Sequence, residues 1–363
     1  MAALAPAQAS CVVQLQLADI MGSANPVLHE IQKNGFTTAL TSDINRQGFV
    51  IDAQANGSRP QDTAKRKIQV RYRSGNCDTV SSGEMVCTDE DNGEGDPYSY
   101  QDVTVTHYKK SKQVKLSKAE FLDLCSGLAT EQSLRTAELA ADLVRTMEQD
   151  LVTDYLAALN TYTDGTDPTP ASTEEKTVSL FSSTAVPQPF ALNFVSNEYS
   201  KKGYMDNFIM VGGYQINSWM KSQGLFVGNL DGADITKTNF DSNAYMSSAY
   251  DVVARTIGTD TEDRMASWMP GAIQRVDWLK YAPETGLARN TDEVFKGTIN
   301  LGGEEFDILI TDQDCNDFVT IQLAKGYGLF IPEAGVFGGA CKGQGTLLNW
   351  ILDCGALSCA TVK

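Results

Sequence analysis

Between Ser133 and Asn160 the apolar residues Leu134, Ala137, Ala141, Val144, Met147, Leu151, Tyr155 and Ala158 return at spacings of three and four. That period belongs to a helix with one buried stripe. At ~1.5 Å per residue the run predicts a single helix roughly 40 Å long, with Ser133 as its N-cap and Asp164-Gly165 and Pro168 closing it off. A rod of this length needs a broad partner surface, so the rest of the chain must supply a sheet to cover it. The helix carries no histidine and no Glu-x-x-His pair. It therefore reads as a core scaffold, not as part of a cofactor bundle.

The flanking charges are equally unusual. Arg59 to Asn76 holds six basic residues and one acid, and Ile68, Val70 and Tyr72 alternate with Gln69, Arg71 and Arg73, as in a strand with one basic face. Cys77 to Asp102 then carries eight acids and no lysine or arginine, after which Val103 and Val105 resume alternation and His107 to Lys118 adds five lysines and no acid. Basic strand, acidic tip and basic return predict one long hairpin over 59–118, too poor in apolar residues to pack a core of its own. Such a ribbon is either a solvated excursion or an arm that lies on a neighbouring subunit. In the second reading the intersubunit contacts fall to Arg66, Lys67, Arg71, Arg73, Lys109, Lys110 and Lys112 on the stems, and to Asp89, Glu90, Asp91, Glu94 and Asp96 at the tip.

Elsewhere the pattern is mixed, and the fold class it predicts is α+β. Residues 1–58, interrupted by Gly22, Asn25-Pro26, Gly35, Gly48 and Gly57, read as an extended arm with one or two short helices. Phe121, Leu122, Leu124 and Cys125 suggest a short amphipathic turn, and Thr161 to Phe190 is loop-like. Met205 to Val211 reads as a buried strand, Gly212-Gly213 as a turn and Tyr214 to Gln223 as a helix. Val294 to Leu301 and Glu304 to Thr311 are two strands joined by Gly302-Gly303, which allows positive φ at both centres. Phe318 to Leu323 and Tyr327 to Ile331 read as two more strands before a glycine-rich tail.

Composition removes several function classes. With 46 acidic and 29 basic residues the formal charge is −17, which disfavours a general grip on nucleic acid. No apolar run reaches the length of a membrane span, and the first twenty residues lack the basic start and apolar core of an export signal. The two histidines, His29 and His107, are too few for most metal or acid-base sites, and His107 reads as a plain polar strand residue. Phosphate loops, zinc-protease helices and hydrolase elbows have no match. The acid clusters Asp89-Glu90-Asp91 with Glu94 and Asp96, and Asp312, Asp314 and Asp317, lack a calcium-loop register, since Gly93 stands where a ligand is needed. No catalytic residue, cofactor or metal is expected. The eight cysteines form no C-x-x-C pair, and a chain this long can bury a core with its thiols reduced. Cys77 with Cys87, and Cys354 with Cys359, remain candidate local disulfides for an oxidising setting.

The order of these elements resembles the major capsid protein of tailed bacteriophages, the fold shared with encapsulin shells. Arg59 to Lys118 look like that family's extended loop, Ser133 to Asn160 like its spine helix, and MDNFIMVGGYQINSWMKSQGL, with Trp219 and Met220, like its axial strand and helix. VFKGTINLGGEEFDILIT and FVTIQLAKGYGLFIPEAG resemble the return through the peripheral domain and the closing axial strands. The resemblance implies an N-terminal arm and the way into the peripheral domain at 1–58 and the extended loop at 59–118. The peripheral domain then takes 119–190, the axial domain 191–290, a peripheral return hairpin 291–317, and closing axial strands with the C-terminal tail 318–363.

It further implies a structural virion protein, not an enzyme, assembling with itself as hexamers and pentamers in the host cytoplasm around double-stranded DNA. Portal, scaffolding or decoration proteins would be its other partners, and no membrane is involved. An acidic wall would release packaged DNA more readily than a basic one. Some relatives cross-link a loop lysine to an asparagine; Lys109, Lys110 and Lys112 are present, but neither the asparagine nor its assisting acid is matched, so no cross-link is carried over. The rivals are a nanocompartment shell holding a cargo enzyme, and an acidic hydrolase built on a carboxylate pair.

Overall fold

A computed structural model describes residues 35–42, 45, 67–72, 99–117, 130–161, 163–164, 167–170, 176–184, 188, 191–201, 208–213, 216, 219, 243–247, 264–279, 293–301, 303–312, 318–331 and 347–353. Helices and strands are mixed along them, and the fold is α+β. The acidic tip, all eight cysteines and the amphipathic turn at Phe121 lie outside the described residues.

The long helix is there as α2; for chain order, the short helix Gly35–Thr41 is α1 and α2 is Thr130–Thr161. Ala137, Ala140, Ala141, Val144, Met147, Leu151, Val152 and Tyr155 form its buried stripe. Burying Val144, Met147 and Leu151 contributes roughly 1.5–3 kcal/mol each. Ser133 is not the N-cap, because the helix is already running at Thr130; Glu131 and Gln132 are good helix formers and nothing before Ser133 breaks the turn. Nor is the following segment all loop. Strands β4 (Thr163–Asp164) and β5 (Asp167–Pro170) pair as a two-stranded ribbon, where prolines are tolerated at an edge, and β6 (Lys176–Ser179) joins a distant sheet.

The charged hairpin does not include its lysine-rich return. Among the described residues strand β1 (Lys67–Tyr72) pairs antiparallel with β2 (Ser99–Thr104). The lysine-rich return, β3 (Tyr108–Ser117), instead pairs along its whole length with β13 (Phe318–Phe330). The expectation that this stem makes few contacts within its own chain is therefore corrected.

The first sheet runs β10 (Gln274–Trp278), β13, β12 (Glu304–Asp312) and β11 (Glu293–Leu301), with β3 also on β13. Register fixes the sides: Ile321 faces both Val114 and Ile310, and Tyr327 faces both Tyr108 and Asp277. Strands β12 and β10 therefore share one edge of β13 in succession, while β3 takes the other. Leu116, Val319, Ile321, Leu323, Ile308, Ile310 and Phe306 lie on one face of this sheet and are buried, and β3 and β13 meet α2 there. The β11–β12 hairpin turns through two residues as predicted, with Leu301 opposite Glu304 and Gly303 at φ 87°.

Strand β13 is one continuous strand, not the two expected. Gly326 and Gly328 do not turn the chain; they let the link Val105–His107 cross over it. A Cβ at Gly328 would stand 2.5 Å from the Thr106 carbonyl oxygen, and one at Gly326 2.8 Å from that of Trp278. His107 accordingly lies in the link, not on a strand, with its ring edge-on to Trp278 at 4.6 Å.

The second sheet has the order β6, β14 (Leu347–Asp353), β9 (Arg264–Trp268), β7 (Ile209–Gly212) and β8 (Asn243–Met246). Strands β7 and β9 are buried throughout, and Gly212 ends β7 instead of opening a turn. Ile216 and Trp219 are helical, as expected for the segment after it. Tyr199, on helix α3 (Ala191–Lys201), and the Trp350 indole both meet the Ser267 hydroxyl, at 2.8 and 2.7 Å.

Two expected boundaries move. Residues 318–330 belong to the sheet of the return hairpin, so of the described closing strands only β14 lies in the second sheet. The chain also crosses between sheets at 269–273, not at 290. Asn45 fixes that crossing. Its Oδ1 accepts from Trp268 Nε1 at 3.2 Å and from the Gly271 amide at 3.0 Å, while its Nδ2 donates to the carbonyls of Leu40 at 3.0 Å and Ile273 at 2.9 Å.

Candidate assembly surface

Alternation gives β3 two unlike faces. Its even-numbered residues turn toward α2. There Tyr108 donates to Asp154 at 2.7 Å, Lys110 pairs with Asp150 at 3.1 Å, Lys112 pairs with Asp142, and Val114 and Leu116 enter the core. Tyr327 of β13 stacks on Tyr108 at 5.6 Å and donates to Asp150 at 2.6 Å. Burial, then the Asp154 carboxylate, raises the Tyr108 pKa; burial, then Asp150, raises that of Tyr327. Both phenols stay protonated donors at any ordinary pH. Asp154 is also pushed up by burial, against the pull of the Tyr108 hydroxyl. The seam sets where the helix lies along the strand, and its acceptors are occupied.

The odd-numbered residues Lys109, Ser111, Gln113 and Lys115 are exposed. Next to them, at the end of β13, Phe318 is 52% exposed. On a chain of net charge −17 this is a local basic surface with an aromatic edge.

Of the residues singled out in the sequence, the structure thus separates Lys109 from Lys110 and Lys112: the first faces outward, and the other two pair with α2 of the same chain. Lys67 and Arg71 sit on β1, opposite Thr104 and Tyr100. Arg66, Arg73, Asp89, Glu90, Asp91, Glu94, Asp96, Cys77, Cys87, Cys354 and Cys359 lie outside the described residues.

Sequence reasoning missed a buried ionic group at the point where β12 gives way to β10 beside β13. Arg275 forks onto Glu304 at 2.7 and 2.9 Å and reaches Asp277 at 2.8 Å; Lys325, 2% exposed, lies 2.5 Å from Glu304 and 3.4 Å from Asp277. Burial opposes the charge on Glu304, but Arg275 and Lys325 outweigh it and hold the carboxyl below its ordinary range. Burial likewise opposes the Arg275 cation, and Asp277 and Glu304 outweigh that too. The four partners come from three strands, Arg275 and Asp277 on β10, Glu304 on β12 and Lys325 on β13, and no local spacing brings the three together. Two cations and two anions fill the point where one partner of β13 hands over to the next; the group is structural and internally neutral.

Among the described residues no three His, Cys, Asp or Glu side chains gather as a metal site, and no helix is long and apolar enough to cross a membrane. No family model matches the chain, and no curated protein matches it. Solved structures do. A chain of the cyanophage P-SCSP1u capsid is 9% identical, with 79% of this chain and 82% of that one covered at a TM-score of 0.40. The chain is similar to capsid chains. A chain of the bacteriophage PhiM1 mature capsid is 10% identical over 79% of this chain and 82% of that one, at 0.41. A chain from the capsid of the native GTA particle is 11% identical over 79% and 84%, at 0.38.

Proposed function

We propose that this chain is a shell subunit of a tailed-bacteriophage capsid, assembling with itself as hexamers and pentamers around double-stranded DNA. The observation that carries the reading is the way the elements are assembled. The strand leaving a charged ribbon, β3, is built into one sheet with the late hairpin β11–β12 and with β13, under the long helix α2. Strands β7, β8 and β9, with β6 and β14, make a second sheet. A ribbon, a peripheral sheet under a spine helix, and a separate axial sheet are the parts such a subunit needs, in the order it needs them.

In this reading the second sheet and its helices form the axial body that gathers around the symmetry axes. The ribbon's acidic tip reaches a neighbour, where the exposed Lys109 and Lys115 face supplies opposite charge. Many individually weak contacts of this kind, repeated by symmetry, sum to a stable shell.

Electron microscopy of the expressed chain tests the proposal, with closed icosahedral shells as the expected result. A protein that stays monomeric at high concentration, with and without co-expressed neighbouring gene products, would rule it out. Packaged DNA in particles from lysed hosts separates a capsid from a cargo compartment.

A further inference from the structure

The most unusual buried group is Glu148, which lies wholly out of solvent on α2. Its Oε1 accepts from the Phe36 amide at 2.8 Å and the Ser247 hydroxyl at 2.5 Å, and its Oε2 accepts from the Thr37 amide at 2.7 Å. Ser247 follows β8 and is tied to β7 by its own amide, 2.9 Å from the Gly212 carbonyl. One carboxylate thus caps the first turn of α1 from another helix and fastens it to the second sheet.

The rest of α1 is held by packing and by Asn45, with Gly35, Phe36, Thr37, Ala39 and Leu40 all buried. The Phe36 ring lies edge-on to Tyr155 and Trp268, 5.5 Å from each, Ala39 and Leu40 enter the core, and Asn45 makes the four bonds described above. At seven residues α1 is too short to persist as a helix when undocked, so docking and helix formation are one event.

Among the described residues no cation compensates Glu148. The helix α1 (GFTTALT) and strands β7 (IMVG) and β8 (NAYM) carry no charged residue. On α2, Asp142, Arg145 and Asp150 are engaged at the surface with one another or with β3 and Tyr327. On β10, Arg275 and Asp277 are committed to Glu304 and Lys325. Closing α1 therefore moves a carboxyl from water into a site that accepts its charge only through hydrogen bonds.

We propose that residues 35–42 and Asn45 form a latch that opens and closes as one unit on the Glu148 carboxyl, and closes more tightly as the pH falls. Desolvation disfavours the charged form, and burial pushes the Glu148 carboxyl up in spite of the bonds from Ser247, Thr37 and Phe36. The closed state binds the proton more strongly than the open one. Closing is therefore favoured as the pH drops from above the raised value toward the ordinary carboxylate value, and is indifferent to pH below it. Opening uncovers Tyr155 and Trp268.

Amide hydrogen exchange on the full chain, from about pH 5 to pH 8 and corrected for intrinsic rates, tests this. The amides of Phe36, Thr37 and Gly271 should share one protection factor, lower than that of the interior amides of β12. That factor should rise on acidification by up to about tenfold per pH unit in the wild type and stay flat in Glu148→Gln. Protection equal to that of β12 at every pH would overturn the latch, and a slope that persists in Glu148→Gln would overturn the role of the carboxyl. Asn45→Ala provides an independent arm should Glu148→Gln not fold. It should lower protection at Phe36 and Thr37 and keep the slope, and an equal loss across β12 would again overturn the proposal.

Discussion

Tyr327 reaches from β13 to Asp150 on α2 with a 2.6 Å hydrogen bond, and the same carboxylate takes Lys110 from β3 at 3.1 Å. A single helical residue thereby fixes two neighbouring strands. This is why the lysine-rich strand, which reads as a solvated stem, belongs to the body of the protein.

Removing the phenol separates the bond from the packing. Tyr327→Phe keeps the ring against Tyr108 and leaves Asp150 its lysine, so the loss should be about 1 kcal/mol. Asp150→Ala removes both partners at once and should cost more. Urea unfolding of the two variants gives the comparison, and equal midpoints would mean that the seam does not hold the helix.

Two glycines of the first sheet should respond in opposite order to what their backbones alone suggest. Gly303 has φ at 87°, strained for alanine, yet a Cβ there meets nothing within 4 Å. Gly328→Ala would drive a Cβ to 2.5 Å from the Thr106 carbonyl oxygen and 2.6 Å from the Cγ1 of the buried Val105. Gly303→Ala should cost about 1 kcal/mol and Gly328→Ala roughly 2–3 kcal/mol or more. Thermal melts of the pair decide it; a milder Gly328→Ala would mean that the link over β13 can lift.

That link also explains what the sequence made legible. The stripe from Leu134 to Ala158 and the glycine pair before Glu304 are local signals, and both elements formed where they predict. The pattern of β13 reads as two strands, Phe318 to Leu323 and Tyr327 to Ile331, whereas it is one, and its Gly326 and Gly328 make room for a chain segment more than two hundred positions earlier. The stem β3 reads as solvated because Lys110 and Lys112 find their acids on α2, and a count of charge along the chain cannot see a partner on another element. The parallel pairing of β6 with β14 left no trace, since Lys176–Ser179 is too short to show a period. Glu148 stands inside an apolar stripe as an ordinary helix former, and only the amides of α1 reveal its use.

The ionic group at Lys325 predicts an acid limb of instability. Glu304 is held below its ordinary range, so its contribution to stability is complete above the ordinary carboxylate value and is lost as the pH falls through the lowered one. Glu148 and Asp154, both raised, act in the other direction: they destabilise as the pH climbs above the ordinary value. Stability measured by urea midpoint should therefore rise on mild acidification from neutral pH and then fall steeply in stronger acid. Glu304→Gln should lower stability at neutral pH by about 3–5 kcal/mol, because Arg275 and Lys325 lose their buried anion, and should flatten the acid limb. An unchanged acid limb in that variant would remove Glu304 from the account.

The exposed lysines of β3 and the acidic tip of the ribbon make a joint prediction for assembly. Replacing Asp89, Glu90, Asp91, Glu94 and Asp96 with their amides should leave the monomer folded, because the described core uses none of them. Lys109→Gln with Lys115→Gln should also leave it folded, since both side chains are exposed. Each set should weaken shell formation, most clearly at low salt, where the screening length is longest. If tip and lysines meet across subunits, the combined variant should lose little more than either set alone, because each single set already breaks the same pairs. Light scattering of assembly across a salt series reads all three. Losses that simply add would place the two charge sets on different partners, and unimpaired assembly in both would leave the tip a solvated loop.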